Sequence, residues 1–521
     1  MRYTNHHFGD FASHFVSCKE MVIIMRDYSF GNFLHELRKR RGLSQYQLGM
    51  LVGVSDKAVS KWENGSAKPQ SRILYKLSDV LGVTVDELLA CKYRSAKSGN
   101  EKGVFAMTNK LWKNAHQTLR KHYGDELPVE ILIRYLSEFA ELKETDMIVY
   151  FDLLCQIKAM AENLGDHIRV KGVTGASFIA FVLGATEINP LKPHYFCPHC
   201  KTVEFDETTL CGWDLPKKRC SCGRELCRDG HNLPFETLRP YIHKNIHFEL
   251  SVSSELYQAV EEKIKTYFKG NTIVALVRKE HPYLKTLVII NENLSDFTDG
   301  QELSFDEYYN ELRQYPTITL MINEDLDSFR LLEQETGISF KSIDFACQNV
   351  LEAFQNGNTD GIPEFQASFF KDMINEASPA SFNDLIQISG LSHTDIWTND
   401  AQMLIKNGKS ASEVIAYRDD VFNYIQKRIE RKRISNTGYA YKIMEDTRRG
   451  VYAKGGISDE MKQQFSSLGI EDWFAESIGK IQYLFPRAHG VLYVKYALIL
   501  MWYKLNYPEV FVKYFYKINE E

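Results

Sequence analysis

The chain has 521 residues, 44% of them hydrophobic and 25% charged, with a formal net charge of −5. That length allows several domains with sizeable cores, and the negative balance excludes a uniformly basic nucleic-acid coat. No uninterrupted apolar run is long enough for a membrane span, so none is expected.

Residues 1–27 fit no element, and the patch MVIIM at 21–25 lacks the core and cleavage site of a signal peptide. The expected start is Met21 or Met25 behind an over-called or disordered leader; the alternative is an arm lying on the first domain. Residues 28–92 then read as a compact five-helix unit. A helix from Phe30 to Arg41 stops at Gly42. Ser44 caps a helix over Gln45–Val52, with Gly53 in the turn, and Ser55 caps another over Asp56–Glu63, closed by Asn64-Gly65. Leu48, Leu51, Val54, Val59 and Trp62 supply the inner face. Residues 31–93 hold ten Lys and Arg against six Asp and Glu, so this part carries a basic field that the whole chain lacks.

The run GLSQYQLGMLVGVSDKAVSKWENGSAKP resembles the helix-turn-helix of the Cro/phage-repressor (XRE) family, including the W-E-N-G close and Pro69. The resemblance implies an all-α, lambda-repressor-like domain whose second helix enters the major groove of double-stranded DNA. It assigns DNA contact to Gln45, Ser55, Asp56, Lys57, Ser60 and Lys61, with the Arg38–Arg41 run near phosphates. Lys57 and Lys61 reach guanine or phosphate, and Asp56 can accept from cytosine N4. Domains of this kind usually act as dimers, so a homodimer is expected.

A polar linker is expected over 93–106, followed by a helical region over Met107–Leu164. Then HIRVKGVTGASFIAFVLGATEINPL reads as a strand, a glycine-containing turn and a helix. Within 194–237, six of the ten cysteines fall inside 31 residues. Cys197-x-x-Cys200 and Cys220-x-Cys222 offer four thiolates in two pairs beside turn residues, the pattern of one structural zinc ion. Because the second pair is tighter than usual, Cys211 or Cys227 could replace one ligand. Zinc-type cysteines with single ones scattered elsewhere indicate a reducing cytoplasm.

The flanks TEINPLKPHYFCPHC and DGHNLPFET resemble the PolC-type DNA polymerase III alpha subunit, a C-family polymerase, in which this segment is a zinc ribbon inserted in the palm. The resemblance implies that the preceding glycine turn cradles a triphosphate through Lys171, Gly172, Gly175 and Ser177, although the family's arginine is lysine here and its preceding Gly-Ser is Arg169-Val170. The family's paired catalytic aspartates, two residues apart on a strand, fall on His247 and Glu249. Its third aspartate falls on Thr319. Two-metal nucleotidyl transfer needs hard carboxylate ligands, so these changes predict loss of catalysis.

Between 291 and 336 there are twelve acids against two arginines, and here the resemblance is thin. It returns from Gly361 with GIPEFQASFFKDMI, FNDLIQISGLSHTDIWTNDAQMLI and IQYLFPRAHGVLYVKYALILMWYKLNYPEVFVKYFY, which resemble the PolC fingers. There the resemblance implies nucleotide or template contact by His393, Arg418, Arg448, Arg449, Arg487 and His489, and the run Lys427 to Arg433 is a further phosphate candidate. No stretch resembles the family's helix-hairpin-helix, clamp-binding or exonuclease parts.

The expected architecture is therefore multidomain. An all-α helix-turn-helix (28–92) precedes an α+β polymerase-like palm (107–355) carrying the zinc ribbon (194–237), and mainly α-helical fingers (356–521) follow. The expected function is a DNA-binding, transcription-regulating protein whose polymerase module has lost metal-dependent transfer. Structural Zn is its cofactor, with dNTP or primed DNA as further ligands, a cytoplasmic location and no membrane contact. The alternative is an active DNA-directed DNA polymerase using Mg, with a metal site drawn from Glu249, Glu255, Glu324, Asp325 and Asp327. A decoy that binds replication factors is a third reading.

Overall fold

A computed structural model describes residues 30–81 and 101–515, apart from breaks at 32, 36, 40, 42, 65–66, 68, 70, 126, 145–146, 239–246, 279–280, 291–295, 305–307, 313 and 433–436. The leader, the fifth expected helix of the N-terminal unit, Gly42, Gly65 and Arg433 lie outside the described residues. The chain divides into two compact units, Met1–Phe105 and Ala106–Glu521.

In the first unit the described residues between 30 and 39 are helical and precede α1 (Gln45–Val52), α2 (Asp56–Glu63) and α3 (Ser71–Leu81). Ser44 closes a capping box with Gln47, and Gly53 ends α1 in the left-handed region at φ 79°, where a side chain would be strained. Ser55 caps α2 by accepting from the Ala58 amide at 3.3 Å. Leu48, Val52, Val59 and Trp62 join Leu34, Leu37 and Leu77 in the core. Leu51 does not: it is 55% exposed. Leu48 and Val52, four apart, take the inner face of α1, and Gly49 closes on the Val54 carbonyl, so Leu51 is rotated outward.

A buried ion pair ties this unit together. Arg38 donates from Nε to Glu63 at 2.5 Å, from Nη2 to Glu63 at 2.9 Å, and from Nη1 to the Leu43 carbonyl at 2.7 Å. Arg38 is therefore turned inward, away from the phosphate-facing place expected of the Arg38–Arg41 run, because the carboxylate closing α2 needs a partner. Burial pushes the Glu63 carboxyl up, but hydrogen bonds from Arg38, Gln45 and His35 outweigh it and its pKa falls below 4.5.

Helix α4 (Glu101–Tyr123) begins inside the stretch expected as linker and enters the second unit at Ala106, where α5 (Val129–Glu144) and α6 (Met147–Asn163) follow. Strand β1 (Ile168–Lys171) leads through a 3-10 turn (Gly172–Ala176) into α7 (Phe178–Val182). The cysteine-rich insertion folds as β2 (His194–Phe196), β3 (Val203–Phe205) and β4 (Cys227–Asp229), in the order β3-β2-β4. Beyond it come β5 (His247–Val252), α8 (Ser254–Tyr267), β6 (Thr272–Arg278), β7 (His281–Ile290), β8 (Glu302–Leu303) and β9 (Thr317–Ile322).

Among the described residues the main sheet is six-stranded, β1-β5-β9-β7-β6-β8. Strand β5 runs antiparallel to β1 and parallel to β9, so two segments far apart in sequence meet at its centre. Tyr150 of α6 stacks on Phe248 with ring centres 5.2 Å apart, which covers one face of the sheet.

The remaining chain is helical: α9 (Glu324–Thr336), α10 (Gln348–Gln355), α11 (Ser368–Ala377), α12 (Phe382–Ser392), α13 (Gln402–Lys406), α14 (Arg418–Arg431), α15 (Thr437–Arg448), α16 (Val451–Gly455), α17 (Asp459–Leu468), α18 (Asp472–Ile478), α19 (Arg487–Asn506) and α20 (Pro508–Phe515). The architecture is thus multidomain, with a helix-turn-helix, a mixed α/β region and a helical C-terminal part, as expected. No helix among the described residues is long and apolar enough to cross a membrane.

Helix α19 is the axis of this part, buried along most of its length because its apolar residues lie all round it. Tyr417 wedges between α12 and α19, where Gly390 and Gly490 leave room for its ring, and its hydroxyl donates to the Ile386 carbonyl at 2.6 Å. A Cβ on Gly490 would collide with the Tyr417 hydroxyl. Gly490→Ala should therefore destabilise the second unit by about 2 kcal/mol or more, read as a lower urea midpoint.

Glu63 supplies a second test. A depressed carboxyl contributes stability above 4.5 that is lost as pH falls through its lower folded value. Glu63→Gln should cost about 2 kcal/mol at neutral pH, by leaving the Arg38 guanidinium without its carboxylate, and should flatten this acid loss. Hydrogen-exchange protection of α1 and α2 across that range, corrected for intrinsic rates, checks both.

Candidate nucleic-acid interface and polymerase-like cleft

On the first unit, Asp56, Lys57 and Lys61 are exposed on α2 and Ser60 is half-buried beside them. Ser55 is exposed but its hydroxyl is the helix cap, and Gln45 donates to Glu63 at 2.8 Å. The first turn of α2 thus offers one carboxylate and one ammonium, with a second ammonium one turn on. This is a helix end free to meet base edges.

In the cysteine-rich insertion, the Sγ atoms of Cys197, Cys200, Cys220 and Cys222 all lie within 4.8 Å of one another, a spacing that can hold one metal ion. Each pair sits on a tight knuckle. The Lys201 amide donates to the Cys197 carbonyl at 2.9 Å with Lys201 at φ 59°, and the Gly223 amide donates to Cys220 at 2.8 Å with Gly223 at φ 84°. Neither alternative ligand joins them. Cys211 is buried elsewhere, 3.5 Å from His231 Nδ1, and Cys227 lies on β4 outside the quartet. Tyr195, Cys197, Leu215 and Leu226 form a small apolar cluster beside the quartet, while Cys211, Trp213 and Leu233 of the insertion join the larger core.

The insertion is also bolted to the helical part. The carboxylate of Asp214 accepts from the first amides of α12, Phe382 at 2.7 Å and Asn383 at 2.9 Å. Burial nevertheless raises the Asp214 pKa to about 6. Thr237 donates to Asp419 at 2.9 Å, beside the start of α14.

The glycine turn after β1 lies against α19. A Cβ on Gly175 would sit 3.3 Å from Ala488 Cβ, so the turn's small residues here allow close packing on that helix. Ser177 is fully buried: its hydroxyl donates to Glu138, which also accepts from the amides of Phe178 and Ile179 at 2.9 and 3.1 Å. The donors at the start of α7 are thus met from within the protein.

Strand register brings together the three positions matched to family aspartates. Glu249 pairs with Thr319 across β5 and β9, and His247 pairs with Thr317. His247 Nε2 lies 3.3 Å from Glu249, and its Nδ1 lies 2.6 Å from the Thr317 hydroxyl. A carboxylate only accepts, so Nε2 carries the proton and, in the neutral ring, Nδ1 accepts from Thr317. The hydrogen bond from His247 is the main reason the Glu249 carboxyl lies below its ordinary pKa. Thr319 shares its hydroxyl with Thr286 at 2.8 Å. These residues do not fit a pair of magnesium ions, which need several free carboxylate oxygens.

Nor do the other acids gather. Arg330 bridges Glu255 and Asp327, Asp327 accepts from Ser254, and Asp325 lies 3.7 Å from Arg169. Among the described residues the cysteines form the only group of three or more His, Cys, Asp or Glu placed to hold a metal ion.

Beside Glu249 in the β1–β5 pairing, Lys171 is 6% exposed and reaches Tyr493 on α19, its Nζ 3.1 Å from the hydroxyl. His489 stands one turn earlier, its ring centre 4.6 Å from that of Tyr493. Burial holds the His489 pKa at about 4 against the pull of Glu249. His393 pairs with Glu364 at 3.0 Å, and Glu364 adopts φ 68°. Glu364 and Tyr493 lie beside these positions and were missed by sequence reasoning. Both lie inside quoted fingers stretches, but their chemistry depends on a fold that sets α19 against β1.

Two of the four arginine candidates of the fingers, Arg418 and Arg487, point inward. Arg487 donates to Gln387 at 2.7 Å, to Asp420 at 3.2 Å and to Asn383. Arg418 is 1% exposed and donates to the Thr237 carbonyl at 3.1 Å. Arg448 pairs with Glu445 three residues back, and Arg428 lies on Tyr424, 3.3 Å from its ring centre. Arg169, standing where the resemblance sets a small residue, stacks 3.4 Å from the ring centre of Tyr496.

Comparison with known proteins bears on both units. Residues 34–88 match the helix-turn-helix family model, 109–275 match that of the bacterial DNA polymerase III alpha NTPase domain, and 321–468 match that of the bacterial DNA polymerase III alpha subunit finger domain. The DNA polymerase III PolC-type of Thermotoga maritima is 31% identical over 474 residues, covering 76% of this chain and 34% of that protein. Those of Caldanaerobacter subterraneus and Staphylococcus haemolyticus are 28% and 29% identical, covering 77% and 78% of this chain and 33% of each relative. The chain therefore spans about a third of the length of the curated relatives it matches. The chain thus matches a helix-turn-helix model followed by models of the DNA polymerase III alpha NTPase and finger domains, and over roughly three quarters of its length it is similar to PolC-type DNA polymerase III.

Proposed function

We propose that this chain is a DNA-binding regulatory protein in which a PolC-like module keeps a nucleotide or primed-DNA cleft but not metal-dependent nucleotidyl transfer. The observation that carries the reading is the state of the three aspartate-matched positions. His247, Glu249 and Thr319 lie together on adjacent strands, yet each is engaged by a neighbouring side chain. Lys57 and Lys61, with Asp56, form the DNA-reading edge of the first unit. A homodimer supplies a second helix for a two-part operator, as one short helix reads few base pairs.

The cysteine quartet holds zinc in this reading. Four sulfur ligands on two tight knuckles favour a structural site, and the metal ties those knuckles together. A DNA-regulating protein of this kind works in a reducing cytoplasm, which keeps the thiolates available.

The second reading is an active DNA-directed DNA polymerase, favoured by the extent of similarity to PolC-type relatives. Primer extension on a template–primer duplex with all four dNTPs separates the two. No extension in magnesium or manganese is expected, and extension in either would overturn the loss of transfer. For the cysteine site, elemental analysis should find about one zinc per chain. The double variant Cys197→Ser with Cys220→Ser should lose it, whereas Cys227→Ser should retain it.

A further inference from the structure

We propose that helix α4 carries a second contact for duplex DNA, a basic stripe on the second unit that holds the phosphate backbone through Lys110, Lys113 and Lys121. This rests on the reading of the chain as a DNA-binding protein and adds a surface outside the helix-turn-helix.

The stripe follows from composition and helical period. After Glu101, α4 has no acidic residue through Tyr123, in a chain whose net charge is −5. Leu111, Ala115, Leu119 and Tyr123, spaced four apart, are buried and fix the inner face. Lys110, Lys113, Gln117 and Lys121 then recur at i, i+3, i+7 and i+11 on the outer face, and all four are exposed. Elsewhere exposed lysines are engaged, Lys192 by Glu207, Lys218 by Glu204 and Lys513 by Glu335. No carboxylate among the described residues lies within ion-pair distance of the three stripe lysines. Arg120 and Lys121 also suit the negative end of the helix dipole. Lys110 and Lys113 stand well before that end, so the dipole does not account for them.

The surface continues past the helix. His122 stacks on Phe196 of β2 with ring centres 4.6 Å apart, and a Cβ on Gly124 would meet Lys201 Cβ at 2.9 Å. The end of α4 is thereby seated on the first cysteine knuckle. Half-buried Lys201, its Nζ 5.8 Å from the Phe196 ring centre, adds a fourth cation there. Three acids belong to this end: Asp125, held by Arg120 at 2.8 Å, Asp229, which acts on His122 and Tyr123, and Glu130 in the first turn of α5. From Lys110 to Lys121 the stripe runs about 16 Å along the helix axis. That length follows several phosphates of one strand, spaced about 3.4 Å along the duplex axis. Ammonium groups on flexible stems suit a backbone contact that carries no sequence information. Duplex DNA is favoured over an acidic protein surface because the same chain presents a DNA-reading helix, which raises the local concentration of phosphates.

The test is fluorescence-anisotropy titration of a labelled mixed-sequence duplex with the full-length, zinc-loaded protein over a salt series. The logarithmic salt slope of the wild type is compared with that of the triple variant Lys110→Gln, Lys113→Gln, Lys121→Gln, since glutamine keeps the helix propensity of lysine. The expected result is a slope shallower by about two to three and an affinity lower by about tenfold or more at low salt, each phosphate contact contributing about 0.9 to the slope. Removing equal charge from α15, α16 and α17 with Lys442→Gln, Lys454→Gln and Lys462→Gln should leave the slope within about half a unit of wild type. An equal loss in that control, or an undiminished slope in the stripe variant, would overturn the stripe. The pair Lys57→Gln, Lys61→Gln reports on the first unit separately, and should weaken binding while keeping the stripe's share of the slope. Undiminished binding by that pair, with loss in the stripe variant, would remove the helix-turn-helix reading and keep the stripe. No binding by the wild type would overturn both. Circular-dichroism melts with wild-type midpoints would show that each variant is folded.

Discussion

The buried guanidinium of Arg487 is the constraint around which the helical part is arranged. A cation so deeply enclosed must have its donors met, and three helices contribute to meeting them: Asn383 and Gln387 from α12, Asp420 from α14, and the start of α19 that carries the arginine itself. The Arg487 amide adds a bond to Asp419 at 2.7 Å, and Asp419 also receives Thr237 from the end of the cysteine-rich insertion. One fixed point thus sets the angle at which α19 leaves the fingers and crosses to β1. Tyr493 on α19 thereby meets Lys171, which the β1–β5 pairing sets beside Glu249. Arginine suits this node, since its planar fork can address several acceptors at once.

Much of the first unit was legible in the sequence. Ser44, Gly53 and Ser55 act through local backbone chemistry, which requires no knowledge of distant residues, and they set the ends of α1 and α2. Leu51 and Arg38 were misread for a common reason. Helical periodicity ranks faces, but which neighbour occupies an inner position depends on partners such as the Glu63 carboxylate, 25 residues away from Arg38. The cysteine pairs were equally local, and their knuckles follow from turn residues.

The polymerase-like cleft was only partly legible. The strand–turn–helix at Lys171 was visible from its residues, and the resemblance set His247 and Glu249 at the family's aspartate positions. What the turn does in space was not. Ser177 is drawn to a carboxylate on a separate helix, and Gly175 serves contact with α19. The resemblance marked Arg418 and Arg487 as nucleotide or template contacts, yet both are enclosed by acceptors. Burial is a tertiary property. A cation kept in a motif says nothing about which way it points until its surroundings are assembled.

The parallel pairing of β5 with β9 has a consequence for how this module relates to a working polymerase. Register in a sheet fixes which side chains share a face, and a slip by one residue would turn them away. Here that register still sets positions 247, 249 and 319 side by side. On the proposed reading, the difference between a silent module and a catalytic one is written in side chains alone, over a backbone kept in place by the surrounding helices. Such a scaffold is free to drift among ligand chemistries without refolding, because the geometry that once demanded carboxylates is maintained by packing rather than by a bound ion.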